Sequence, residues 1–143
     1  MSNAVSSFGS LLKIGDGAGT EVFTTIAEVM DITGPSISLD TEEVTSQTST
    51  NGYDEHIGTI LRGGDVTFDI NYGPTDGTHD ETTGLISVMN AKSLNNFQLV
   101  MTDAGTTTWS FAALVTGFEP AMPVAGALRA SCTLKISSKP TLA

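Results

Sequence analysis

Four runs in the second half of the chain place an apolar residue at every second position, a period that strands have and helices do not. Val66, Phe68, Ile70 and Tyr72 form the first, and Phe97, Leu99 and Met101 the second. Trp109, Phe111, Ala113 and Val115 form the third, which puts Trp109 in the core, and Leu128, Ala130, Cys132, Leu134 and Ile136 the fourth. Their intervening positions are polar: Asp65, Thr67, Asp69 and Asn71 on the first run, Arg129, Ser131, Thr133 and Lys135 on the last. Each run therefore predicts a strand with one face in a core and the other in solvent. The 21 Thr and 14 Ser residues lean the same way, because Thr suits a pleated surface. At 143 residues the chain fits a single domain, 1–143, with enough apolar surface to close a core without staples.

The first half is less regular. Residues 1–21 read as an N-terminal arm with one short strand around Leu11, Leu12 and Ile14, followed by a glycine-rich turn, GDGAGT at 15–20. Val22–Thr33 is rich in β-branched residues and apolar on both faces, which predicts one strand ended by the ITGPS segment at 32–36. Ile37 and Leu39 alternate with polar neighbours over 36–41, a half-buried strand. Residues 42–63 then form a long polar loop, of a length that is uncommon in compact domains unless it has a role. Tyr53, Ile57, Ile60 and Leu61 within it are apolar and need a partner surface. A helix is expected over 78–92. Thr78 and Glu81 have capping-box spacing, and Leu85, Ile86, Val88 and Met89 make its apolar stripe. Seven strands and one helix predict a mainly β fold, an antiparallel sandwich or barrel with a flanking α-helix.

The residues that carry chemistry elsewhere lack the necessary spacing here. GDGAGT has no Lys-Ser/Thr and precedes a strand, so it reads as a turn rather than a phosphate loop. His56 and His79 each adjoin carboxylates, yet neither has a second ligand at metal-site spacing, and both read as structural. Cys132 falls on the apolar side of its strand, where a thiol acts as a small core residue. No nucleophile elbow occurs. Neither an enzyme nor a cofactor or metal site is expected. No apolar run approaches the roughly 18 residues of a membrane span, so membrane insertion is not expected either.

Sixteen acidic and six basic residues give a net charge of −10, which excludes nucleic-acid binding by phosphate neutralisation. Residues 1–61 hold nine acids and one base, against seven and five in 62–143. Solubility accounts for such a balance, and so does a surface that repels an anion.

Four stretches in order, FTTIAEVMDITGPSISLDTEEVTS, GYDEHIGTILRGGDVTFDINYGPTDGTHD, TTTWSFAALVTGFEPAMPV and ASCTLKISSKPTL, resemble the major tail tube proteins of long, non-contractile-tailed bacteriophages of the lambda type. The resemblance spans about Gly19 to Leu142, and rests on order and spacing rather than on any catalytic motif. It implies a structural virion protein whose hexameric rings stack into a tube around a tape-measure protein, between tail-tip and tail-terminator proteins. Viral DNA would cross the lumen without specific binding. It places the protein in the phage tail, and in the host cytoplasm during assembly. The appended immunoglobulin-like domain of some members is not expected, the sequence stopping at Ala143. The 42–63 loop would reach the adjacent ring through Tyr53, Ile57, Ile60 and Leu61. Leu11, Leu12 and Ile14 of the arm and the tail at 138–143 would bridge subunits. Glu28, Asp65, Thr67 and Asp69 are the candidate lumen-facing residues. Two other readings compete with it: a tube protein of a contractile tail or secretion system, and a monomeric β-sandwich binding module built on an exposed aromatic platform.

Overall fold

A computed structural model describes residues 2–143. In chain order the elements are β1 (Leu11–Gly15), β2 (Phe23–Thr25), β3 (Val29–Thr33), β4 (Ser38–Glu43), β5 (His56–Arg62), β6 (Asp65–Asn71), α1 (Leu85–Ala91), β7 (Asn95–Val100), β8 (Thr108–Ala121), β9 (Arg129–Ile136) and β10 (Thr141–Leu142). Eight strands form one antiparallel sheet in the order β2-β1-β7-β8-β9-β6-β3, with β10 also on β8. β4 and β5 form a separate two-stranded sheet. The mainly β, antiparallel class with a flanking helix is therefore the observed one.

The period-two runs all fall on strands of the large sheet. Val66, Phe68, Ile70, Phe97, Leu99, Phe111, Ala113, Val115, Ala130, Cys132, Leu134 and Ile136 are buried together, joined by Leu12, Ile26 and Leu85. Phe97 and Phe111 face each other across the β7–β8 ladder with ring centroids 6.0 Å apart. Trp109 is only half-buried against this core, short of the full burial its alternation suggests. Packing of this kind supplies most of the drive to fold.

The predicted strand at 22–33 is two strands with a break at 26–28. Glu28 there has φ 58°, a left-handed conformation that interrupts the pleat. The break has a topological purpose. β2 and β3 are the two ends of the sheet order, so one short segment carries the chain from one edge to the other and wraps the sheet on itself. Ile26 N–H donates to the Leu12 carbonyl on one side at 2.9 Å, and Asn71 N–H to the Glu28 carbonyl on the other at 3.0 Å. The apolar residues on both faces of this segment reflect its double allegiance.

The helix is shorter than expected, Leu85–Ala91 in place of 78–92. Residues 78–84 are turns instead, and the Thr78–Glu81 capping box is absent. Thr78 spends its hydroxyl on Asp76 and on Ala27 N–H, and the helix begins at Gly84 without a side-chain cap. Gly84 is tightly enclosed, since a Cβ there would lie 2.5 Å from Asp80 N. Leu85 is buried, and Val88 and Met89 pack on the core as the stripe requires.

Candidate assembly surfaces

The 42–63 segment is an ordered hairpin rather than an unstructured loop. β4 pairs with β5 from Ser38↔Arg62 to Glu43↔His56, with a register shift between Leu39 and Thr41. The tip closes on its own polar groups: Val44 N–H donates to the Glu55 carbonyl at 2.8 Å, Glu55 N–H to Thr45 Oγ1 at 2.9 Å, and Ser49 Oγ to Glu55 Oε2 at 2.8 Å. Arg62 Nε and Asp40 Oδ2, 2.8 Å apart, join the two strands near the base. The sequence hides this pairing because the alternation of Ile37 and Leu39 stops at the acidic end of β4, and Ile57, Ile60 and Leu61 of β5 do not recur at every second position.

Every residue of β5 is exposed. Tyr53, Ile57, Ile60 and Leu61 are 72%, 51%, 56% and 71% exposed, so the rest of the molecule leaves about half or more of each side chain uncovered. Sequence reasoning missed Ile37 and Leu39, which it placed in a half-buried strand and which lie exposed on the same hairpin. Leu39 sits opposite Leu61 and over Gly58, whose missing side chain leaves room for it. A lone two-stranded hairpin is marginal in water, and this one adds a large apolar surface to that handicap.

The arm divides. Leu12 is fully buried in its own core, because β1 lies inside the sheet between β2 and β7. Its assignment as a bridge between subunits is thereby corrected: a side chain consumed by its own fold has no surface to offer. Ile14 is partly buried against the same core, and Leu11 is exposed. Ahead of them Phe8 is 94% exposed, an apolar side chain that the alternation did not flag. The C-terminal tail is not free either. β10 pairs with Ser110 and Trp109 of β8, and Ala143 N–H donates to the Thr108 carbonyl. Met122 and Val124 protrude from the corner after β8.

Of the lumen candidates, Asp65, Thr67 and Asp69 share the outer face of β6, opposite Lys135, Thr133 and Ser131 of β9. Asp69 accepts a hydrogen bond from Ser131 Oγ at 2.8 Å, and Asp65 lies 3.8 Å from Lys135 Nζ. Glu28 reaches the end of that face, to which Asn71 also belongs. It stands at the strand break, where its Oε2 accepts from Asn71 Nδ2 at 3.2 Å.

The two histidines have different fates. His56 is exposed and paired with Asp54 at 2.8 Å. His79 is fully buried: its Nδ1 accepts from Gly73 N–H at 3.1 Å and its Nε2 bonds the Ala27 carbonyl at 2.6 Å. That pair of partners requires a neutral ring with its hydrogen on Nε2. Ala27 N–H is held in turn by Thr78 Oγ1 at 3.0 Å, so both backbone groups at the strand break are clamped by the 73–84 loop. Thr78 donates twice to Asp76 Oδ1, from its hydroxyl at 2.6 Å and its N–H at 2.8 Å, which holds that carboxyl below its usual 3.8.

Burial pushes the Cys132 thiol up to about 12, which removes it as a nucleophile. GDGAGT is a turn in which Asp16 Oδ1 accepts from Ala18 and Val22 N–H. Among the described residues, no three His, Cys, Asp or Glu side chains gather as a metal-ligand set. No helix is long and apolar enough to cross a membrane among those residues.

No protein-family model and no curated protein sequence matches the chain. Solved structures do. A chain from the tail of an empty gene transfer agent particle, with C6 symmetry, superposes with a TM-score of 0.74 at 20% identity, over 98% of this chain and 99% of the other. A chain from the sheath/tube terminator of an extracellular contractile injection system gives 0.73 at 14% identity, over 100% and 99%. One from the six-fold baseplate of an anti-feeding prophage gives 0.70 at 13% identity, over 100% and 97%. The whole chain, hairpin included, thus has the fold of subunits from these assemblies.

Proposed function

We propose that the protein is a structural subunit of a phage-type tail tube, assembling as hexameric rings that stack into a hollow conduit. The observation that carries this reading is the exposed apolar hairpin: a full-length match to chains from six-fold particles retains an element that makes sense only when another copy covers it. The arms and edges that remain open on the monomer are then ring and stacking contacts rather than aggregation hazards. The role requires no turnover, cofactor or metal. Tape-measure, tail-tip and terminator proteins are its partners, the virion tail its destination, and the host cytoplasm its place of assembly.

In this reading Tyr53, Ile57, Ile60 and Leu61 contact the adjacent ring, with Leu11 and Ile14 contributing from β1. Glu28, Asp65, Thr67 and Asp69 line the conduit, and a net charge of −10 per subunit, about −60 per ring, keeps DNA phosphates from adhering in transit. The long non-contractile tail is the first choice of system, on the sequence resemblance. The contractile injection-system chains match over as much of the chain, and a sheath gene beside this one would favour that alternative.

Negative-stain electron microscopy of concentrated protein, alone and with tape-measure and tail-tip components, tests the class: hollow tubes or six-fold rings are expected. Tyr53→Asp combined with Ile57→Asp changes only exposed positions, so it leaves the monomer folded by circular dichroism and abolishes tubes. Normal tubes from that variant would overturn the hairpin assignment.

A further inference from the structure

At the base of the hairpin lies a groove of about 680 Å³ whose charged lining is wholly basic. Arg62, Lys135 and Lys139, half of the chain's six basic residues, line it without a single acid, above an apolar floor that includes Ile37, Ile60 and Ile136. The opposite end of the same hairpin has the complementary composition. Glu42, Glu43, Asp54 and Glu55 cluster at the tip around exposed Val44 and Tyr53. Within one chain the two ends cannot meet. The ladder from Ser38↔Arg62 to Glu43↔His56 holds them apart by five residue steps, about 17 Å at the rise of an antiparallel strand.

We infer that the acidic tip of one copy docks in the basic groove of the next. It rests on the proposed tube role and specifies the contact that orients neighbouring subunits. Tyr53 and Val44 cover the groove's apolar floor, while the tip carboxylates face Lys139 and share Lys135 with Asp65, which lies 3.8 Å from its Nζ. Arg62 is engaged by Asp40 at 2.8 Å and contributes less. Because the tip and the groove are different surfaces, the contact is heterologous, and heterologous contacts build closed rings or open stacks rather than two-fold dimers. On a chain this acidic, concentrating half the positive charge in one groove fixes which surface a negatively charged neighbour approaches.

Paired-cysteine crosslinking tests the contact directly, with buried Cys132 as a silent background. Asp54→Cys on one preparation and Lys139→Cys on another are mixed at high concentration and oxidised. A mixture of Asp54→Cys with Lys92→Cys serves as control. Mixed disulfide forming at least about tenfold faster than in the control is expected, since docking raises the effective concentration of the two thiols. Equal rates overturn the docking, even if the unmodified protein forms tubes. Fast crosslinking without tubes would support the docking and count against the tube role alone. Charge reversal is the second arm: Lys135→Glu with Lys139→Glu loses association, and partners carrying Glu42→Lys with Asp54→Lys restore it. If the groove variants instead lose retention of duplex DNA while crosslinking stays at the control rate, the groove takes nucleic acid and the inference fails.

Discussion

Asp76 connects a loop to the break between β2 and β3 through one hydroxyl. Its carboxylate receives the Thr78 hydroxyl and N–H, and that hydroxyl receives Ala27 N–H. The hydrogen bonds favour the ionised form, so the folded chain keeps this carboxyl deprotonated at a pH where the unfolded chain, near 3.8, has begun to bind a proton. The stabilisation is therefore complete above about pH 5 and is lost as the pH falls through 3.8 and below. Asp76→Asn removes the charge but keeps the shape. It should lower the melting temperature by a few degrees at pH 7, with the difference closing on acidification, as thermal melts between pH 7 and 2.5 will register. A gap that persists unchanged in acid would show that the charge is not what matters. The sequence does not display this role, because DGTHDE reads equally well as the first turn of a helix.

At the scale of elements, what could be read in the sequence follows the physics of alternation. β6, β7, β8 and β9 each have one dry face and one wet face, and their period is plain. β4 and β5 have no dry face in the single chain, so the alternation of Ile37 and Leu39 marks the start of β4 but misstates its burial, and nothing marks β5, which looks like part of a loop. The segment from β2 to β3 serves two edges and carries apolar residues on both sides, which conceals its break. The helix is shorter than the cap spacing of Thr78 and Glu81 implies, because tertiary demand at Ala27 claims Thr78 first. His79 is the other half of that demand and holds the closing segment against the 73–84 loop. Replacing it by Phe adds volume at a fully buried site and strands the Ala27 carbonyl and Gly73 N–H, two part-buried backbone groups at up to about 1–3 kcal/mol each. His79→Phe should therefore lose about 2–5 kcal/mol in urea unfolding at pH 7. A loss below about 1 kcal/mol would mean that the clamp contributes little to closure.

For the whole molecule, charge acts over two ranges with opposite signs. A net charge of −10 makes any two copies repel at a distance, and an assembly of six multiplies the effect. The acidic tip and basic groove attract only when close. Salt separates the two, because the screening length falls from about 30 Å at 0.01 M to about 8 Å at 0.15 M and about 3 Å at 1 M. Moderate salt cancels the long-range repulsion while leaving a contact a few ångströms across largely intact, and high salt weakens that contact as well. Light scattering of concentrated protein should consequently rise from 0.01 M salt to a maximum near about 0.15 M and decline toward 1 M, in contrast to a purely apolar association, which salt would only strengthen. The Lys135→Glu, Lys139→Glu variant lacks the short-range attraction, so its scattering should start lower and rise monotonically with salt. If the unmodified protein also rises without a maximum, apolar burial by Tyr53, Ile57 and Leu61 holds the copies together, and the charges at tip and groove do not decide how they meet.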